Sequence, residues 1–166
     1  MSMIAPCHIE RQPPQRLLEF AAFRWPAAAL DGAAWPSAPG GVVRDEAGQP
    51  RLLHAAPGRW LLPDPSEAVQ AQADAAARSG HGAAIDVTGQ WATLTITGAG
   101  AARLLACAIE IHSVLEGRDC ASVRLFDCPA VVARRPDGYA LWVQSSYVSD
   151  FLATASRFLA TLQPSA

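Results

Sequence analysis

The sequence predicts an α+β fold made of two related half-units around one core, and three observations carry that reading. Short apolar stretches bounded by Pro- and Gly-containing turns are interspersed with amphipathic stretches of helical period, so strands and helices are mixed along the chain. Residues 51–62 and 130–141 echo one another: each reads strand, turn, aromatic residue, apolar strand and capped helix, with Pro57 and Pro136 setting an offset of 79 residues. At 166 residues with 51% hydrophobic side chains, the chain can fill one core, or two half-domains sharing one, but not two independent domains.

Residues 1–14 form a Pro-rich, flexible N-terminal arm, ordered only by contacts with something else. Residues 15–163 form the single compact domain, divided into half-units 15–80 and 84–163, the first being a shortened copy of the second. Residues 17–25 read as a strand ended by Pro26. Residues 26–49 are loop-like in composition, yet the neighbouring tryptophans Trp25 and Trp35 are poorly suited to water. They either fold back onto the core or wait for a partner surface, which makes both candidate partner-docking residues.

Residues 51–56 and 59–62 flank Pro57-Gly58 and read as a hairpin. Asp64-Pro65-Ser66-Glu67 then signals a helix start, with Asp64 as cap, Pro65 at the first helical position and Glu67 closing a capping box. That helix runs to about Arg78, and its thin alanine face suits close packing on a sheet. Residues 83–87 are a short strand. In the next strand, residues 91–97, Ala92, Leu94 and Ile96 alternate with Trp91, Thr93, Thr95 and Thr97. Gly98-Ala99-Gly100 opens a helix carrying Leu104, Leu105, Ala108 and Ile109. Strands at 121–126, 130–134 and 139–143 follow, and Val148, Phe151, Leu152, Ala155, Phe158, Leu159 and Leu162 share one stripe of a final helix.

Charge and composition exclude several functions. A formal net charge of −2, with thirteen arginines scattered along the chain and no lysine, has no footprint for nucleic acid or an anionic membrane. The N-terminus lacks signal-peptide character, and no apolar run approaches the roughly 20 residues of a membrane helix. Cys7, Cys107, Cys120 and Cys128 form no Cys-x-x-Cys pair and read as buried reduced thiols of a cytoplasmic protein.

No motif in the sequence assembles a reaction centre. Gly98-Ala99-Gly100 lies where a dinucleotide fingerprint would, but Arg103 stands in place of its third glycine, so a tight strand-to-helix turn is the reading. Cys107, His112, Cys120 and Cys128 match no zinc spacing, and Cys107 and His112 fall on different sides of one helix. Ser145-Ser146 is explained by capping of the last helix. His54 lies on a strand, and His81 with Asp86 reads as a surface contact. No catalytic, cofactor-binding or metal-ligating residues are therefore expected.

Residues 85–105, Ile85-Asp86-Val87-Thr88-Gly89-Gln90 through Gly98-Ala99-Gly100-Ala101 to Leu104-Leu105, resemble the opening of the folate-binding aminomethyltransferase-type fold. Leu115-Glu116-Gly117-Arg118 before a strand, and Arg135-Pro136-Asp137-Gly138-Tyr139 through Val143 before Ser145-Ser146-Tyr147, extend the likeness. It covers residues 84–163 well and 15–80 more loosely, through Pro57-Gly58-Arg59-Trp60-Leu61-Leu62. Within that superfamily the chain looks most like the gamma subunits of heterotetrameric sarcosine oxidases. The resemblance implies a duplicated β2αβ3α unit with antiparallel or mixed sheets and helices packed on them. It also implies a non-catalytic subunit holding no cofactor, beside alpha, beta and delta subunits that carry FAD, FMN, NAD and tetrahydrofolate and oxidatively demethylate sarcosine to glycine.

The chain departs from the superfamily pattern in two places. Ser146-Tyr147-Val148 replaces Ser-Phe-Ala, and Pro129-Ala130-Val131-Val132-Ala133 lacks the paired acids of folate-using relatives, which argues against folate chemistry here. The alternatives are a stand-alone folate-binding protein of the same fold, and a self-associating scaffold that forms a homodimer when isolated.

Overall fold

Strict alternation in a strand sorts its side chains onto two faces, and in this chain both faces are covered. The computed structural model describes residues 6–23 and 35–162. Its elements are β1 (His8–Arg11), β2 (Leu17–Ala22), β3 (Val42–Arg44), β4 (Pro50–Ala56), β5 (Arg59–Pro63), α1 (Glu67–Arg78), β6 (Gly82–Asp86) and β7 (Trp91–Thr97). Then come α2 (Ala101–Ala106), α3 (Ile111–Val114), β8 (Cys120–Leu125), β9 (Cys128–Arg135), β10 (Gly138–Gln144), a 3-10 turn (Ser145–Tyr147) and α4 (Val148–Leu162).

The strands form two five-stranded sheets, in the orders β1-β7-β10-β9-β8 and β3-β4-β5-β2-β6, and every pairing is antiparallel. Read from the opposite end, the second order matches the first strand for strand: β6 for β1, β2 for β7, β5 for β10, β4 for β9 and β3 for β8. The strand that leads into each half-unit pairs in the sheet of the other half, β1 with β7 and β6 with β2. Helices cover the outer faces, giving four layers.

Leu94 and Ile96 of β7, Leu141 of β10 and Val132 of β9 pack with Leu104, Leu105 and Phe151 on the helical side of the first sheet. Trp142, Ala140, Val131 and Ala133 point the other way and meet Leu17, Leu53 and Leu61 of the second sheet. Outside the second sheet, Phe20, Trp60 and Leu62 pack on Ala73 and Ala76 of α1 and on Trp35. The thin alanine face does bring α1 close to its sheet.

Several local expectations change. Residues 8–11 are a strand, so that part of the arm is ordered by this chain's own β7. The described strand at 17 ends at Ala22, and Trp25 lies outside the described residues. Helix α1 is capped by Ser66, whose hydroxyl accepts from Val69 N at 3.3 Å, not by Asp64. Asp64 takes a left-handed conformation (φ +46°), which turns the chain before Pro65 and removes it from the capping position. The expected single helix after Gly100 is two short ones, broken between Ala106 and Ile111, so Cys107 and His112 share no helix.

His54, on β4, is fully buried and stacked on Trp60 with ring centroids 4.3 Å apart. Its backbone N–H donates to Gly41 O and its carbonyl accepts from Gly40 N, which ties the 38–41 turn to the strand. Burial pushes its pKa down from 6.5, against the backbone carbonyls of Pro36 and Ala38, which favour the proton. At the β8–β9 hairpin, Leu125 faces Cys128 across Phe126 (φ +48°) and Asp127 (φ +63°). Both central residues are left-handed, the conformation of a primed turn that favours Asn-Gly. Phe126 is held there by stacking on Phe158, with centroids 5.2 Å apart, and by its tilted contact with Phe151 at 5.6 Å.

Two predictions follow from this packing. Asp127→Gly relieves a left-handed non-glycine residue, partly offset by the greater conformational entropy glycine gives the unfolded chain, for a net gain of about 0.5–1 kcal/mol; a lower urea midpoint for the variant would refute the turn assignment. Because the folded pKa of His54 is depressed, its contribution to stability is present above about pH 6.5 and is lost as pH falls below it. Urea titrations between about pH 7 and pH 5 should show a smaller loss of stability in His54→Gln than in the parent chain; equal slopes would refute the buried neutral imidazole.

Candidate functional site: two clefts between the sheets

The residues nominated by sequence do not converge. Trp25 is outside the described residues, and Trp35 takes the first of its two alternatives. It is 7% exposed, packs against Phe20 and Trp60 at 5.6 and 5.8 Å, and donates from Nε1 to Gln72 Oε1 at 2.7 Å. Its indole is core, with little surface to offer a partner.

The cysteines are free, and three of them are buried; Cys107 is exposed, contrary to expectation, because it lies in the break after α2. Burial, with the Asp119 carboxylate adding to it against Arg44, pushes the Cys120 thiol up to about 12. That thiol donates to His54 O at 3.6 Å and Gly41 O at 3.7 Å, so it bridges the two sheets. Among the described residues no three His, Cys, Asp or Glu side chains gather into a metal-holding group.

Other candidates have structural partners. Gly98 (φ +97°) sits so close to the N-terminal segment that a Cβ would come within 2.3 Å of Pro6 O, and Gly100 N donates to the same carbonyl at 3.3 Å. The turn thus receives the chain's own backbone. Ser145 Oγ donates to Gly89 O at 3.0 Å and ties the β6–β7 connection down, instead of capping α4. His81 precedes β6 and Asp86 ends it, so the strand separates them. Asp86 accepts from Thr88 N at 2.9 Å, and its hydrogen bonds with Thr88 hold its carboxyl below the usual carboxylate range.

What the fold does build is a pair of equivalent clefts between the sheets. The open one, about 300 Å³, lies beside the 12–15 connector that carries the chain from β1 in one sheet to β2 in the other. Its floor is the inner face of β7 and β10, where Thr95 faces Ala140 and Thr93 faces Trp142. Gln12 Nε2 donates to Thr95 Oγ1 and Gln15 Nε2 to Thr93 Oγ1, both at 3.0 Å. Between the two glutamines, Pro13 and Pro14 restrict the connector backbone.

Two guanidinium groups reach the walls of the open cleft. Arg51 pairs with Asp45 at 2.9 Å, and Arg135 pairs with Asp137 at 3.0 Å. The Trp142 indole N–H is buried and has no hydrogen-bond partner among the described residues. The equivalent cleft on the other half is smaller, at about 70 Å³. There Leu61 faces Glu19 at the register position of Ala140 and Thr95, and Arg59 pairs with Glu19.

Sequence reasoning passed over this site, although one signal was available. Leu61 and Ala140 stand one repeat apart, and a position-by-position comparison of the echoing stretches exposes a large-to-small difference on an inward face.

No family model matches this chain, and no curated protein matches it. Among solved structures, it is similar to a chain of the heterotetrameric sarcosine oxidase from Corynebacterium sp. U-96 in complex with pyrrole 2-carboxylate, with a TM-score of 0.77 and 18% sequence identity. The likeness covers 96% of this chain and 87% of that one, so the two share a fold over almost their whole lengths.

Proposed function

We propose that this chain is a non-catalytic gamma-type subunit of a heterotetrameric sarcosine oxidase, lending structure to larger chains that carry the flavins and perform the oxidative demethylation. One observation carries the reading: the likeness accounts for nearly all of these residues and for most of one chain of an assembly, so the shared fold is that of a subunit and not of a fragment of one. A module embedded in a much larger chain would match only a fraction of it. The matching strand order of the two sheets supports the duplicated β2αβ3α architecture that the sequence resemblance implies. The residues described at the nominated positions have structural partners, which fits a supporting role.

In this reading the partners are the alpha, beta and delta subunits of a cytoplasmic complex, and FAD, FMN, NAD and tetrahydrofolate belong to them. The N-methyl amine is then selected by those chains.

Affinity-tagged chain, expressed at native level in its own host, should co-elute in stoichiometric amount with larger chains whose fraction shows flavin fluorescence and sarcosine-dependent peroxide formation. Recovery of the chain alone, or with partners lacking flavin, overturns the assignment. Saturable tryptophan quenching of the isolated chain by a reduced folate would favour the stand-alone folate-binding alternative.

A further inference from the structure

We propose that strand β6, the open edge of the second sheet, pairs antiparallel with β6 of a second copy of this chain, joining two sheets into one. The argument begins with the backbone. Phe23 N donates to His81 O and Val87 N to Leu17 O, so alternate residues from His81 to Val87 bond toward β2. Gly82, Ala84 and Asp86 therefore turn their N–H and C=O groups to the open side. Gly82 is buried with the Phe20 ring against it, so Ala84 and Asp86 are the accessible pair. No other strand among the described residues lies along this edge.

The counterpart edge shows how the same fold guards such a strand. β1 holds the place in the first sheet that β6 holds in the second. By register, Ile85 opposite Glu19 matches Glu10 opposite Thr95, Ala83 matches His8, and Asp86 matches Arg11. Polar and charged side chains on β1 are the usual protection against pairing with another chain. β6 keeps one charge, at its end, and carries Ile85 with 45% of its surface exposed.

The strand is complementary to itself, which identifies the occupant. A twofold axis at Ala84 lets the two Ala84 residues exchange N–H···O bonds. It also sets Ala83 of each copy against Ile85 of the other in a closely spaced pair, small against large. The Asp86 end of each strand then meets the end of the other that follows Arg78. His81 N donates to Ala76 O at 3.1 Å, which folds the Arg78 end of α1 onto the start of β6. Arg78 is exposed and in no ion pair among the described residues; Asp86 has only Arg16 of its own chain nearby, beyond ion-pair distance. Acid thus meets base at both ends of the pairing at once. A register centred on Ile85 instead sets the two Asp86 carboxylates diagonally across the strands, where like charges repel. This inference concerns the chain by itself and is independent of the subunit assignment.

The test is sedimentation velocity of the full chain between about 5 and about 500 μM, where the sedimentation coefficient should rise from monomer to dimer. Ile85→Lys, a guard residue placed beside Glu19, should raise the dissociation constant at least about tenfold while leaving the urea midpoint unchanged. In a Cys107→Ser background, a mixture of Ala83→Cys and Ile85→Cys chains should form disulfide-linked dimers at least about tenfold faster than either variant alone. That arm does not depend on Ile85→Lys folding. A chain monomeric throughout the range overturns the proposal and leaves β6 to a strand from another protein. A dimer undiminished by Ile85→Lys, or equal crosslinking of mixed and separate variants, overturns it as well.

Discussion

The architecture depends on a reciprocal exchange of strands. β1 precedes the first half-unit in the chain but completes the sheet of the second, while β6, at the start of the second half-unit, completes the sheet of the first. Each exchange sends a connector across the gap between the sheets, residues 12–15 on one side and 87–90 on the other, and each connector is tied at its crossing. Gln12 and Gln15 hold the first to β7. Thr88 Oγ1 accepts from Leu17 N at 3.0 Å, and Ser145 Oγ donates to Gly89 O, holding the second. Neither sheet has all five strands unless both halves fold, so the natural unit of cooperativity is the whole described chain. Cys120 and Arg44 add ties near the opposite edges, the latter donating from Nη1 to Arg134 O at 2.6 Å.

This arrangement explains which elements were legible in sequence. Hairpin β4–β5, hairpin β9–β10, α1 and α4 are specified by local signals: turn residues, alternation and an apolar stripe. The 79-residue offset places β4 on β9 and β5 on β10, and the matching sheet orders extend that correspondence to the remaining strands. β1 and β3 were not legible. They are four and three residues long at sheet edges, and β1 in particular is defined by a partner 87 positions away, as the pairing of Ile9 with Ile96 shows. The cap moved from Asp64 to Ser66 because Asp64 was needed in a left-handed turn, a backbone demand that side-chain preference does not report.

The cleft was hidden by a rule that usually holds. Threonines alternating with Ala92, Leu94 and Ile96 give the strand one apolar face, and the other face of such a strand ordinarily meets water. In a four-layer structure that face looks inward to the second sheet, and Thr95 is 5% exposed. Tryptophans in a loop-rich stretch read as docking residues by a similar rule, yet Trp35 closes the outer core over Phe20 and Trp60. In both cases composition gave polarity correctly, and the number of layers decided what faced water.

The contrast between the two clefts then becomes an argument about cost. A buried donor left without a partner costs about 1–3 kcal/mol, and an apolar replacement of similar shape can be nearly neutral. This chain contains a workable apolar solution at the equivalent position, since Leu61 packs against Leu17 and Leu53 with the Glu19–Arg59 pair beside it. The other half keeps Ala140, both threonines and an unpartnered indole, with proline and glutamine residues arranged around them. Packing alone gives no reason for that choice, because it leaves both volume and hydrogen-bonding capacity unused.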